Sequence, residues 1–116
     1  MTDYKYIDFE VGLSRVRKNK QLYLRLLGMF ADSPEFQKLE DAIAAGDTDA
    51  AAHLVHTIKG MSGNLALTAV FDLTSRLMVQ YRQNSVDPAL LEEYRQALDE
   101  TLHQIQELIP CLASKS

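Results

Sequence analysis

Apolar residues recur at intervals of three and four along most of the chain, which is the period of an amphipathic helix. The clearest run follows Asp87, a natural N-cap, and Pro88, which suits the first helical position. We expect this helix to end at Pro110, since proline lacks a backbone N–H donor. Its apolar positions are Leu90, Leu91, Tyr94, Ala97, Leu98, Leu102, Ile105, Leu108 and Ile109.

Two further apolar stripes precede this helix. One comprises Val70, Leu73, Leu77, Met78 and Tyr81, and the polar stretch "QNSVD" supplies the turn after it. The other comprises Leu22, Tyr23, Leu26, Leu27 and Phe30. It loses its phase at Pro34, where we predict a kink or break, and the helical pattern resumes to about Ala45. A short helix around residues 8–17 is expected before it.

The tripeptide "AGD" at residues 45–47 predicts a helix stop followed by a new N-cap. The helix that it opens is the fourth substantial one, and no stretch sustains the period-two alternation of a strand. Short connections between such helices favour an antiparallel arrangement. We therefore predict an all-α fold, an antiparallel four-helix bundle with a short extra N-terminal helix, forming a single domain over residues 1–116.

Composition restricts the classes of function. The chain has 12 basic and 16 acidic residues, a net charge of −4, and no long run of either sign. This argues against nucleic-acid binding, which needs clustered positive charge. No apolar run is long enough for a membrane span, and no signal peptide is expected. The single cysteine, Cys111, cannot form an internal disulfide and fits a reducing compartment. We expect a cytoplasmic monomer.

The helix after Asp47 carries an unusual exposed face. At about 100° per residue, Leu54, Ile58, Met61 and Leu65 lie opposite His56 and define the expected buried face. Ala51, Ser62 and Ala69 flank that buried face. The stripe around His56, which we call the His56 face, contains Asp49, Ala52, Gly60 and Gly63.

Small residues surround His56 where a solvated helix face would normally carry long polar side chains. Glycine costs about 1 kcal/mol relative to alanine inside a helix. The His56 face therefore indicates that another macromolecule approaches the imidazole closely. For Gly63 the alternative remains open that it admits a neighbouring helix or begins a helix end.

Histidine and lysine on this face suggest chemistry with an anion. An imidazole with the ordinary pKa of about 6.5 is mostly neutral near pH 7 and is then a good nucleophile. Lys59, one turn after His56, can offer positive charge to oxygens carried on that ring. A phosphoryl group is the obvious candidate, although the residues alone do not select the donor.

The stretch "AHLVHTIKGMSGNLAL" (residues 52–67) resembles the signature of histidine-containing phosphotransfer (HPt) domains, His-x-x-Lys-Gly on an exposed helix face of a four-helix bundle. The upstream "LYLRLLGMFADSPEFQKLEDAIAAGD" is also similar to the family, and the resemblance covers about residues 10–84. The family often has glycine ten residues after the histidine, where this chain has Ala66. The stretch "RLMVQ" (residues 76–80) lacks the glutamate typical of domains phosphorylated directly by a chemotaxis kinase.

The resemblance implies a phosphorelay intermediate rather than an enzyme with independent turnover. His56 would accept a phosphoryl group from the aspartate of one receiver domain and pass it to another. Lys59 would stabilise the charge of the transferring group, and Gly60 would give clearance. The receiver domain would supply Mg²⁺, so we expect no metal, ATP site or other cofactor in this chain.

The expected partners are response-regulator receiver domains, and a hybrid sensor kinase is a further candidate. On geometry, the expected partner-binding positions around His56 are Asp49, Ala52, His53, Gly63, Asn64 and Leu67. His53 is taken as one of these positions rather than as a second phosphoacceptor. Phe71 and Tyr81 are assigned to the core.

Three competing interpretations were weighed. A sensor-kinase dimerisation domain is set aside because Thr57 follows His56 where that class has an acid, and no Thr-Pro follows. A metal site using His53, His56 and Asp49 is conceivable, and "ETLH" (residues 100–103) matches half of a di-iron motif, but we expect His103 to face water. The alternative that stays open is a non-catalytic helical docking module that binds a receiver domain or a partner helix.

Overall fold

The computed structural model describes the backbone of residues 6–113 and the side chains of residues 6–110, so the side chain of Cys111 lies outside the described residues. Within the described range the chain forms six helices and no strand. They are α1 (Phe9–Arg15), α2 (Lys20–Ala31), α3 (Glu35–Ala45), α4 (Thr48–Asn64), α5 (Thr68–Arg82) and α6 (Pro88–Ala113). The predicted all-α fold with a short N-terminal helix is confirmed, and the predicted break at Pro34 separates α2 from α3.

The bundle is elongated, with a longest dimension of 46 Å. Helices α3, α4, α5 and α6 pack against one another in chain order, and α2 packs against α6. Near the start of α6, Arg95 forms an ion pair with Glu40 of α3 at 2.8 Å, and near its end Ile109 lies beside Gly28 of α2. Helices α2 and α3 therefore follow one another along α6 and together supply the fourth side of the bundle.

Local sequence explains where the helices start and stop. The side chains of Asp8, Asn19 and Asp47 each accept a hydrogen bond from the backbone N–H three residues later, which satisfies an otherwise unpaired donor of the first turn. Gly46, with φ of 70°, ends α3 in the left-handed conformation that glycine adopts readily. Asp87 accepts from the Ala89 N–H at 2.9 Å. The predicted stop at "AGD" and the predicted start of α6 are both confirmed.

Helix α6 continues past Pro110 to Ala113, so the prediction that it ends at this proline is wrong. Proline removes only its own N–H donor, and the N–H groups of the following residues remain available to the helix. One missing hydrogen bond close to the C-terminal end leaves all preceding turns of the helix intact.

The buried side of α4 differs from the prediction. The buried residues are Ala51, Val55, Ile58 and Ser62, whereas Leu54 and Met61 are only half-buried. The buried side is thus rotated toward Val55, because α4 is packed between α3 and α5 and both neighbours cover it. Ser62 tolerates burial since its hydroxyl donates to the Lys59 carbonyl at 3.0 Å. His56 stays exposed on the opposite side.

A tight turn follows α4 and decides which residues reach the core. The Leu67 N–H donates to the Ser62 carbonyl at 2.9 Å, and the Ala66 N–H donates to the Gly63 carbonyl at 3.3 Å. Ala66 has φ of 58°, so the segment is a Schellman turn with alanine in the left-handed position that usually holds glycine. Glycine suits position 66 because it adopts a positive φ without the steric cost that a side chain brings. The turn also means that Ala69 belongs to α5 rather than to α4, contrary to prediction.

Leu67 is fully buried, with 0% of its surface exposed, so its predicted place on the surface around His56 is wrong. The prediction extended α4 as a regular helix, and the Schellman turn instead reverses the chain before Leu67. The same reversal buries Leu65 and Ala66 beside it.

Tyr23 connects three parts of the fold. Its ring contacts Phe9 of α1 edge-on, with ring centroids 5.9 Å apart, and its hydroxyl donates to the Leu65 carbonyl at 2.7 Å. Gly12 is buried against the same phenol ring, and a Cβ at residue 12 would overlap that ring. Burial raises the pKa of Tyr23 to about 12, and the nearby Asp8 carboxylate adds to the shift. Tyr23 therefore holds α1 and the turn after α4 in place.

We predict that Ala66→Gly increases the free energy of unfolding by about 0.5 kcal/mol. Relief of left-handed strain contributes about 1–2 kcal/mol, and losing a buried methyl group costs about 0.8 kcal/mol. Ala52→Gly, inside α4, is the matched control and is expected to cost about 1 kcal/mol. Urea denaturation measures both changes. A loss of stability in Ala66→Gly comparable to that in Ala52→Gly would contradict the assignment.

We also predict that Tyr23 makes the free energy of unfolding depend on pH in the alkaline range. Between about pH 10, where the phenol ionises in the unfolded chain, and about pH 12, where it ionises in the fold, the folded state retains a proton that the unfolded state has lost. Stability therefore falls as pH rises through this interval. In Tyr23→Phe the free energy of unfolding at pH 7 is expected to fall by about 1–2 kcal/mol, because the Leu65 carbonyl loses its hydrogen-bond donor. Its free energy of unfolding should then decrease less steeply than that of wild type as the pH rises above 10. Denaturation series at pH 7 to 11.5 test this, and an unchanged alkaline slope would refute it.

Candidate functional site

The exposed side of α4 presents His56 to solvent. Asp49, His53 and Asn64 are exposed around it, Gly60 is exposed, and Ala52 is half-buried. The N-cap at Asp47 sets where α4 begins and its buried side sets its rotation, so these residues share one surface. The structure thus places every predicted residue of the His56 face, and Asn64 and His53 beside it, on the same side of the helix.

The imidazole of His56 is unobstructed. Among the described residues, no side chain or backbone group forms a hydrogen bond or ion pair with it. His53, one turn earlier, is also exposed, and its backbone carbonyl accepts a hydrogen bond from the Thr57 hydroxyl at 3.2 Å. The exposed imidazole of His56 therefore has no hydrogen bond to a described residue that an approaching molecule would have to break.

Lys59 lies on the α5 side of the His56 face and is half-buried. Its ammonium nitrogen is 5.9 Å from the centroid of the Phe71 ring, within the usual range of a cation–π contact. None of the ion pairs formed within residues 6–110 involves Lys59. Within residues 6–110, no carboxylate therefore neutralises its positive charge.

The two glycines of α4 have different surroundings. Apart from the two neighbouring residues and the local helix backbone, no atom lies within 4 Å of where a Cβ at Gly60 would stand. A Cβ at Gly63 would stand 3.0 Å from two carbon atoms of the Phe71 ring. Gly63 therefore admits the neighbouring helix, which is one of the two alternatives that the sequence left open. The open space at Gly60 has no packing explanation within the described fold.

Two residues near this surface were not identified as site candidates from sequence. Phe71 was assigned to the core, but 41% of its surface is exposed. Its position at the edge of the α5 apolar stripe was the available signal. The guanidinium of Arg15 in α1 donates to the Gly63 carbonyl at the C-terminal end of α4, where a cation is favourable. A contact over such a distance along the chain leaves no trace in local periodicity.

Two hollows lie beside the C-terminal half of α4. The larger, of about 1010 Å³, lies between α4 and α2 and is bordered by Met29, Met61 and Asn64. The smaller, of about 210 Å³, is bordered by Val11, Gly63 and Phe71. Arg15 borders both hollows. The two hollows therefore flank the C-terminal end of α4, and His56, Lys59 and Gly60 line neither of them.

The described residues contain no group of three or more histidine, cysteine, aspartate or glutamate side chains placed to hold a metal ion. His103 is exposed, as expected, and lies 3.5 Å from Glu107 on the following turn of α6. None of the described helices is both long and apolar enough to cross a membrane.

Comparison with known proteins gives one family. The Hpt domain model matches residues 25–108. Among solved structures, histidine-containing phosphotransfer protein B from Pseudomonas aeruginosa PAO1 has a TM-score of 0.81 at 22% identity, over 93% of this chain and 97% of that chain. The HPT domain of a sensor hybrid histidine kinase from Shewanella has a TM-score of 0.72 at 18% identity, over 95% of each chain. A search of curated proteins finds no match.

The contrast between the two glycines generates a prediction about stability. Gly60→Ala is expected to increase the free energy of unfolding by about 1 kcal/mol, because alanine favours helix and the space is open. Gly63→Ala has the same helix-propensity gain but must displace the Phe71 ring, so its net gain is smaller or negative. Urea denaturation of both variants provides the comparison. Equal gains at the two positions would show that Phe71 does not constrain residue 63.

Proposed function

This chain belongs to the Hpt domain family, and we propose that it carries a phosphoryl group on His56 between the aspartates of two receiver domains. The observation that carries the proposal is the unobstructed imidazole of His56 on a surface where the nearest residues are small. A receiver aspartate lies in its own active site, so the histidine that meets it must project from an uncluttered surface.

The proposed transfer needs only a neutral imidazole and an acyl phosphate. A ring nitrogen of His56 attacks phosphorus, the bond from phosphorus to the aspartate oxygen breaks, and the carboxylate leaves with the bonding electron pair. The other ring nitrogen releases its proton to water after this attack, and takes one back before the imidazole leaves in the second half of the relay. In the second half of the relay, the aspartate of another receiver attacks the same phosphorus and the imidazole leaves. The chain ends the cycle unchanged, as a phosphocarrier.

Lys59 and Gly60 support this chemistry in different ways. Lys59 is one turn from His56 and has no carboxylate partner among the described residues, so its charge is available to phosphoryl oxygens. Gly60 leaves open space beside the imidazole, which allows a partner's active-site loops to approach. Catalysis in this proposal is mostly positioning, as is general for phosphoryl transfer.

The partners in this proposal are receiver domains, and the similarity to a domain of a hybrid kinase makes such a kinase a further candidate. Asp49, Ala52, His53 and Asn64 would contact the receiver around His56. Mg²⁺ would be bound by the receiver rather than by this chain. We also propose that the chain acts as a monomer in the cytoplasm, since each transfer needs one histidine and one receiver.

The test is phosphotransfer from a panel of ³²P-labelled receiver domains in the presence of Mg²⁺. Wild type and His53→Gln are expected to acquire acid-labile, base-stable label, as phosphohistidine does. His56→Gln is expected to acquire none, because its amide is not a nucleophile toward phosphorus. His53→Gln is the matched control, since it changes an exposed histidine one turn away on the same helix.

Label on His56→Gln but not on His53→Gln would identify His53 as the phosphoacceptor and refute the proposal. If no receiver labels wild type while a receiver still binds it, the chain is the docking module that the sequence left as the alternative.

A further inference from the structure

The position of the Lys59 side chain depends on an aromatic ring supplied by the next helix. Phe71 of α5 lies with its ring centroid 5.9 Å from the Lys59 ammonium nitrogen. The half-burial of Lys59, on an otherwise open helix face, is consistent with its aliphatic stem lying along this ring. Phe71 is thus the described side chain that interacts with the lysine charge.

Gly63 is what allows Phe71 to occupy this place. The ring lies so close to the α4 backbone that a Cβ at residue 63 would be 3.0 Å from two of its carbon atoms. At the same time 41% of the Phe71 surface is exposed, so the ring fills core space only in part. Gly63, Phe71 and Lys59 therefore form a short series of contacts that leads from α5 to the His56 face.

A ring suits this purpose better than a carboxylate would. A carboxylate would bind the ammonium through a charged hydrogen bond and compete with an incoming phosphoryl group. An aromatic face attracts the cation more weakly at an exposed site and leaves its N–H donors free. Asp72, the one acidic residue of α5, forms an ion pair with Arg76 at 3.1 Å instead.

We propose that Phe71 is a positioning residue for phosphoryl transfer. Its ring holds the Lys59 ammonium beside the His56 face until the ammonium binds phosphoryl oxygens, and Gly63 makes room for the ring. This inference rests on the proposed function of His56. It adds that the effect of Phe71 on transfer passes through Lys59.

The experiment combines kinetics with a spectroscopic signature. Phe71→Leu removes the aromatic face and keeps an apolar side chain, whereas Phe71→Tyr is the matched variant that keeps the ring. Each is made alone and together with Lys59→Met. Transfer is followed in single turnover at saturating concentrations of the fastest ³²P-labelled receiver, and with phosphoramidate, a small phosphoryl donor that makes no docking contacts.

We expect Phe71→Leu to lower the maximal transfer rate about three- to tenfold with both donors, which corresponds to a contact of about 0.7–1.4 kcal/mol. Phe71→Tyr is expected to stay near the wild-type rate. In the Lys59→Met background Phe71→Leu should have no further effect. In proton NMR spectra, the Lys59 side-chain methylene signals next to the ammonium should be shifted upfield by the ring in wild type and Phe71→Tyr, and not in Phe71→Leu.

Equal rates for wild type and Phe71→Leu, or additive effects of Phe71→Leu and Lys59→Met, would overturn the inference and leave the proposed function standing. Absence of the upfield shift in wild type would also overturn it. If neither donor labels wild type although the upfield shift is present, the proposed function fails and the positioning role fails with it.

Discussion

The rotation of α4 about its own axis is the constraint on which the site depends. Ala51, Val55, Ile58 and Ser62 are buried between α3 and α5, and Val55 and Ile58 are completely inaccessible. Burying an aliphatic side chain of this size contributes about 1.5–3 kcal/mol. A rotation of α4 that brought His56 toward the core would expose both residues and leave the imidazole without a hydrogen-bond partner. The direction of His56 is therefore a consequence of core packing.

On the opposite side of α4, helix stability is reduced at a position that stays accessible. Gly60 faces open space and lowers helix stability with no packing gain among the described residues, whereas Gly63 is matched by the ring of Phe71. The same helix thus contains one glycine that makes room for a neighbouring ring and one that has no packing role among the described residues. This difference is also what connects α5 to the site, because the ring that Gly63 admits lies beside the Lys59 ammonium.

Regular elements and local stops could be predicted from sequence, because their causes lie within a few residues. The caps at Asp47 and Asp87, the stop at Gly46 and the break at Pro34 are examples. The exposure of His56 was also predictable, since at 100° per residue it lies about 130° from the centre of the observed buried side as well as opposite the predicted one.

The errors arise where the backbone leaves the regular helix or where distant segments meet. Ala66 takes a left-handed conformation that alanine rarely adopts, so the reversal before Leu67 was not visible in the periodicity. Pro110 lies within α6 although proline usually ends a helix. The position of Phe71 at the edge of its apolar stripe was a signal of exposure, but its approach to Gly63 depends on tertiary packing. The contact of Arg15 with the Gly63 carbonyl also depends on tertiary packing, and no spacing rule encodes it.

The central claim is that the accessible imidazole of His56 is the single phosphoryl acceptor of this chain. It is tested most directly by localising the phosphoryl group on wild-type protein by fragment-ion mass spectrometry, at neutral to alkaline pH, after exposure to a phosphorylated receiver domain. The account predicts one phosphoryl group per chain, carried by His56. A phosphoryl group on His53 or on a hydroxyl side chain, or an unmodified chain recovered from a stable complex with the receiver, would contradict it.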